Sequence, residues 1–185
     1  MSDDAAPPAP SVEAPDGWIE TASTTERLFS VTKVTVTATT VVYEDERLRS
    51  QDGGAFRRFV FASRLRLRPS TKPSKPLTKL VTSRAKAGFA DRLADRGMRD
   101  VDVRETRRFR VDGTDATLVG YDAACEVAGT DLAVDGWVAI WPDDDGDYFV
   151  AGGAYPTRVL DGDSSQALEP NRYRDDLFSI LRSVR

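Results

Sequence analysis

The chain contains no histidine, a single cysteine, and no apolar run long enough to cross a bilayer. Each absence removes a class of function. Without histidine the usual general base at neutral pH is gone, and with it every histidine-based catalytic triad and every histidine-containing zinc site. One cysteine, Cys125, excludes an intramolecular disulfide framework and a thiolate metal cluster, which fits a reducing compartment. Nothing in the sequence would activate that thiol, and its place midway along an alternating apolar strand reads as core. There is no Gly-x-Ser-x-Gly and no Gly-Lys-Ser or Gly-Lys-Thr. Gly152-Gly153 also lacks the spacing of a phosphate loop. The N-terminus has no apolar signal core. The expectation is a cytoplasmic protein that does not insert into membranes, is not an enzyme, and needs no cofactor or metal.

What is present is charge, unevenly distributed. Among 185 residues, 30 acidic against 26 basic side chains give a formal net charge of -4. Residues 57–110 alone hold seventeen Lys or Arg and five Asp or Glu. That block carries a local net of +12 and leaves -16 for the rest. About 40% of the chain is hydrophobic, enough for a core, and the length suits one domain. Pro7, Pro8, Pro10 and Pro15 keep residues 1–16 out of a helix or ladder, so this segment is expected as a disordered tail and residues 17–185 as a single domain.

Residue periodicity gives the elements. Residues 29–43 are rich in Val and Thr and predict a strand. A second strand over 56–68 puts Phe59, Phe61, Leu65 and Leu67 on one face and Arg64, Arg66 and Arg68 on the other. The period then changes: Leu77, Leu80, Val81, Ala85, Phe89, Leu93 and Ala94 recur every three or four residues. They predict a helix capped by Ser74, with Pro76 in its first turn and Gly97 at its end. Strands follow from Val101 to Ala154, with Asp112-Gly113 as a hairpin signal and the glycine pair as a bulge or close backbone approach. A short final helix carries Tyr173, Leu177 and Val184, with Asn171 as its candidate cap. The fold class is α+β: an antiparallel sheet of about six strands packed with a long helix and a short C-terminal helix.

Three groups of residues compete for a functional reading. Asp143, Asp145 and Asp147 have the spacing of a calcium loop, but the glycine is misplaced and no glutamate closes it, so a solvated hairpin turn is the better account. Arg64, Arg66, Arg68, Lys72, Lys75, Lys79, Arg84 and Lys86 are the candidate contact for a protein partner or polyanion. The competing account pairs these cations with the protein's own carboxylates. Trp137, Trp141 and Tyr155 form a candidate aromatic surface, or the core of a second layer if a helix covers each side of the sheet. The functional expectation is a non-catalytic interaction or assembly protein that binds a protein partner or itself. Nucleic-acid or polyanion binding through the 57–110 region and small-ligand carriage are the alternatives.

The order of these elements, over residues 34–68, 77–97, 101–154 and 173–184, resembles the PsbP-like fold superfamily. That resemblance lies in element order and brings no signature residues. It implies non-enzymatic binding or assembly. The acidic, threonine-rich composition is similar to that of proteins from halophilic archaea.

Overall fold

The computed structural model describes residues 5–31, 34–47, 56–162 and 167–185. Seven strands and two helices run in the order β1 (Trp18–Val31), β2 (Val34–Asp45), β3 (Phe59–Arg68), α1 (Lys75–Asp95), β4 (Arg99–Val111), β5 (Thr114–Val127), β6 (Thr130–Pro142), β7 (Tyr148–Asp161) and α2 (Pro170–Ser183). One sheet contains all the strands, ordered β1-β2-β3-β7-β6-β5-β4, and every neighbouring pair is antiparallel. The α+β expectation holds, with seven strands in place of six. The added strand is β1. Between Ile19 and Leu28 its side chains are all exposed, so the alternation that would betray it is missing. The single strand expected over 29–43 divides into the end of β1 and most of β2, which pair on either side of residues 32–33.

Both faces of the sheet are apolar along its middle strands, and each is covered by a helix. On one face Phe59, Phe61, Leu65 and Leu67 from β3 and Val119, Tyr121, Val138 and Ile140 from β5 and β6 meet Val81, Phe89 and Leu93 of α1. The Phe89 ring stacks on Phe61 with centroids 5.9 Å apart and meets Tyr121 edge-on at 5.2 Å. On the other face Val60, Leu118, Trp137 and Trp141 meet Tyr173, Leu177, Phe178 and Leu181 of α2. The buried stripe of α1 is narrower than its sequence suggests. Leu80 remains 49% exposed and Ala94 is exposed.

Local signals account for most boundaries. Ser74 caps α1, its hydroxyl accepting from the Leu77 amide, with proline in the first turn and Gly97 at φ +83° after the last. The β4–β5 hairpin turns on Asp112 and Gly113, both at positive φ, as the mirror-image turn of a two-residue hairpin requires. At α2, Glu169 occupies the cap position without a side-chain bond, so Asn171 lies inside the first turn and is not the cap. Pro170 sets the start of that helix, because its fixed φ is already helical.

Residues 5–16 depart from the expected disordered tail. Ser11 and Arg185 exchange two backbone hydrogen bonds, at 2.8 and 3.1 Å. The Thr39 hydroxyl donates to the Pro7 carbonyl at 2.7 Å, and Val12 and Ala14 pack against the α2-side core. The prolines exclude this segment from the ladder, as their chemistry demands, but an extended chain can still dock.

Gly153 is a point of close backbone approach and not a bulge. A Cβ there would overlap the Phe59 carbonyl oxygen and lie 2.9 Å from Leu177 Cδ1. Gly153→Ala is expected to destabilise the protein by about 3 kcal/mol. Gly88→Ala, in an open stretch of α1 with nothing within 4 Å, should be neutral or stabilising by up to about 1 kcal/mol. Urea unfolding of the two variants checks both.

Candidate functional site

Arg64 and Arg66 of β3 reach the acidic turn between β6 and β7, because β3 and β7 pair directly and Arg64 stands opposite Phe149. Arg64 Nε donates to Asp147 Oδ2 at 2.8 Å and its Nη2 to Asp143 Oδ2 at 2.7 Å. Arg66 forks onto both oxygens of Asp147, at 3.1 and 2.9 Å. The bond to Asp147 raises the Arg66 pKa above its ordinary value, so that cation is locked on. Asp143 in turn accepts from the amides of Asp145 and Asp147 with its other oxygen, which shapes the turn. The carbonyls of Ala5 and Ala6 take the remaining Arg66 donor at 3.4 Å. Arg68 is half-buried at the end of the strand.

Arg64 and Arg66 therefore stand in an ion cluster with Asp143 and Asp147, half-buried and already engaged by the protein's own carboxylates. The aspartates expected as a plain solvated turn are the other half of it: Asp147 is buried and Asp143 half-buried, while Asp144 and Asp145 are exposed. Among the described residues no group of three or more His, Cys, Asp or Glu is placed to hold a metal ion. Arg58 is bound in the same manner. It donates to Asp45 through Nε at 3.1 Å, lies over the Tyr173 ring and is 4% exposed.

The rest of the basic block behaves differently. Lys75, Lys79 and Lys86 lie on one side of α1, at intervals of four and seven residues, together with Thr78, Thr82 and Ser83. With Pro73, Ser74 and Thr117 they line an open groove of about 770 Å³. Two buried tyrosines fix the helix above it: Tyr148 shares a hydrogen bond with the Thr78 hydroxyl at 2.9 Å, and Tyr121 donates to the Lys86 carbonyl at 2.9 Å. None of the nine lining residues is a carboxylate. Lys72 is exposed on the segment leading into the helix. Arg84 turns to another side, its guanidinium 5.6 Å from the centre of the Phe29 ring. Arg108, directly opposite Thr117 on β4, shares its sheet face.

The expected set thus separates. Arg64 and Arg66 are neutralised, Lys75, Lys79 and Lys86 converge, and Arg84 stands aside. The groove hydroxyls were missed. The only signal for them was the spacing of Ser and Thr on the lysine side of α1.

Trp137, Trp141 and Tyr155 are 3%, 4% and 2% exposed, so they are core under α2 and not a surface. The Trp137 indole N–H donates to the Tyr155 hydroxyl at 3.1 Å. A smaller recess of about 200 Å³ beside them holds Arg104, Arg107, Asp135 and Arg174. Arg104 there is bound to Asp135 at 2.9 Å and to Asp122 at 2.7 Å. Cys125 is buried, and burial pushes its thiol up to about 11, which leaves it protonated and inert at neutral pH.

The architecture is an antiparallel sheet between two helices, with a lysine and hydroxyl groove along one of them. A protein-family model described as "Domain of unknown function (DUF6517)" matches residues 4–185, and the chain belongs to that family. No curated protein matches it. Among the described residues no helix is long and apolar enough to cross a membrane.

Removing Asp147 leaves two guanidinium groups confined without their shared carboxylate. Asp147→Ala is expected to lose about 3 kcal/mol of stability, whereas Asp144→Ala, at an exposed site, should stay within about 0.5 kcal/mol. Denaturant titration of both variants measures this. Burial raises Cys125 from 9.0 to about 11, and Tyr121 and Tyr155 from 10.0 to about 12. All three favour the protonated form in the fold, so their contribution is complete below about pH 8 and is lost as pH rises through about 12. Thermal melts between pH 8 and pH 12 should show a falling midpoint, and Cys125→Ala should delay the onset.

Proposed function

We propose that this protein is a non-catalytic binding module that captures an acidic polypeptide segment along the lysine groove of α1. The resemblance of its element order to the PsbP-like superfamily, which implies non-enzymatic binding or assembly, supports this reading. The observation that carries the reading is the composition of the groove wall: three ammonium groups, five hydroxyls and no carboxylate, in a chain of net charge -4. In so acidic a protein, a surface cleared of acids focuses positive potential and attracts segments of opposite sign. Lysine suits this role because its flexible stem and rotatable donors follow carboxylates whose positions are not fixed by a rigid ligand.

An extended nucleic-acid strand is the alternative occupant. The groove supports it less well, because no aromatic side chain lines it, and bases gain much of their binding from stacking. Carriage of a small apolar ligand is disfavoured too. Phe89 and Leu93 fill the interface between α1 and the sheet and are 1% and 0% exposed.

Fluorescence anisotropy with a labelled Asp/Glu-rich peptide tests the proposal. Lys79→Glu with Lys86→Glu should weaken binding by roughly tenfold or more, while Arg172→Glu on α2 should leave it unchanged. Equal affinity in the double variant would overturn the groove assignment. Tighter binding to a single-stranded oligonucleotide than to the peptide would transfer it to the polyanion reading.

A further inference from the structure

The sheet ends in β1 on one side and β4 on the other. Each edge offers backbone N–H and C=O groups that no further strand takes up among the described residues. The two edges are protected very unequally. Each edge strand has two breaks of register, but β4 has eight charged side chains in thirteen residues, a density that keeps an edge from pairing with another chain. β1 has three charged side chains in fourteen residues, and its centre, from Thr21 to Thr25, is uncharged and exposed. Ile19 and Leu28, at 37% and 46% exposure, stand near its ends.

We propose that β1 is a self-association edge: it pairs antiparallel with β1 of a second copy of this chain, about a two-fold axis through Thr24. The register of β1 against β2 slips at Thr21 and again at Leu28, and each slip moves the following residues to the other face. Glu20, opposite Tyr43, and Arg27, opposite Thr37, consequently lie on the same face, although seven residues apart. Ile19 and Phe29, opposite Glu44 and Val36, share the other face.

Antiparallel partners directly across a ladder must lie on one face. With the axis at Thr24, Ser23 of one copy faces Thr25 of the other and Ala22 faces Glu26. Past the slipped residues, Glu20 faces Arg27 and Ile19 faces Phe29, each twice by symmetry. Centring one residue earlier sets Ile19 against Glu26; centring one later sets Glu20 against Ser30. Of these three registers only the first pairs both opposite charges and both apolar side chains. Self-complementarity of that kind is what an isologous interface requires, and it commits the edge to a second copy over an unrelated peptide.

The lysine groove is lined by α1, the residues leading into it and Thr117 of β5, with no residue of β1 among them. The peptide reading and this one can therefore fail separately. Sedimentation velocity of the full chain across a concentration series should show a reversible monomer–dimer equilibrium. Glu20→Arg and Arg27→Glu each set like charges opposite one another twice, and each should raise the dimer dissociation constant roughly tenfold or more. Combining the two restores opposite signs and should return the constant to within about threefold of the starting protein. Thr24→Lys, which meets its own copy at the axis, should also dissociate the dimer and serves if either charge reversal fails to fold by circular dichroism. A monomer at every concentration, a dimer indifferent to the single variants, or a double variant no better than the singles would overturn the proposal.

Discussion

A sheet whose middle strands are apolar on both faces has to be covered twice, and the rest of this structure depends on that constraint. β3, β7, β6 and β5 bury side chains in both core clusters, so one helix could not have sufficed. α1 bridges the long passage from the middle of the sheet to its far edge. α2 returns along the opposite side to close the second core. The aromatic residues of β6 are committed to that second core by the same requirement. The N-terminal segment then fills in beside α2, where Val12 and Ala14 add to the apolar cover.

The charge pattern is resolved by the same arrangement. In sequence the cations of 57–110 stand apart from the acids; in space β3 delivers Arg64 and Arg66 to Asp143 and Asp147, partners 79 to 83 residues distant. The pairing of β3 with β7 makes this meeting obligatory. Lys75, Lys79 and Lys86 escape it because they ride on a helix whose other side docks. What remains positive at the surface is thus a residue of the topology, set by which basic side chains share an element with a buried stripe.

Much of this was legible in the residues themselves. The alternation in β3, the Ser74 cap, the Asp112-Gly113 turn and the return to strands after α1 are local signals with short-range causes. β1 was invisible because an exposed edge strand obeys no burial period. The docking of residues 5–16 was hidden for a related reason: prolines announce what a segment cannot join, and say nothing of where it can lie. The acidic turn was read as solvated because its arginine partners are decided by strand order. The groove was half legible, since the lysines were identifiable but the clearing of carboxylates around them is a property of the assembled surface.

The mutual hydrogen bonds of Ser11 and Arg185 join residues 174 apart in sequence. A contact that closes so long a loop gains nothing while the intervening chain is expanded, for the entropy of closure then outweighs two hydrogen bonds. It becomes favourable only once both helices have docked and brought the ends together. The clasp is in this sense the last stitch of the fold, one that forms only on a finished molecule.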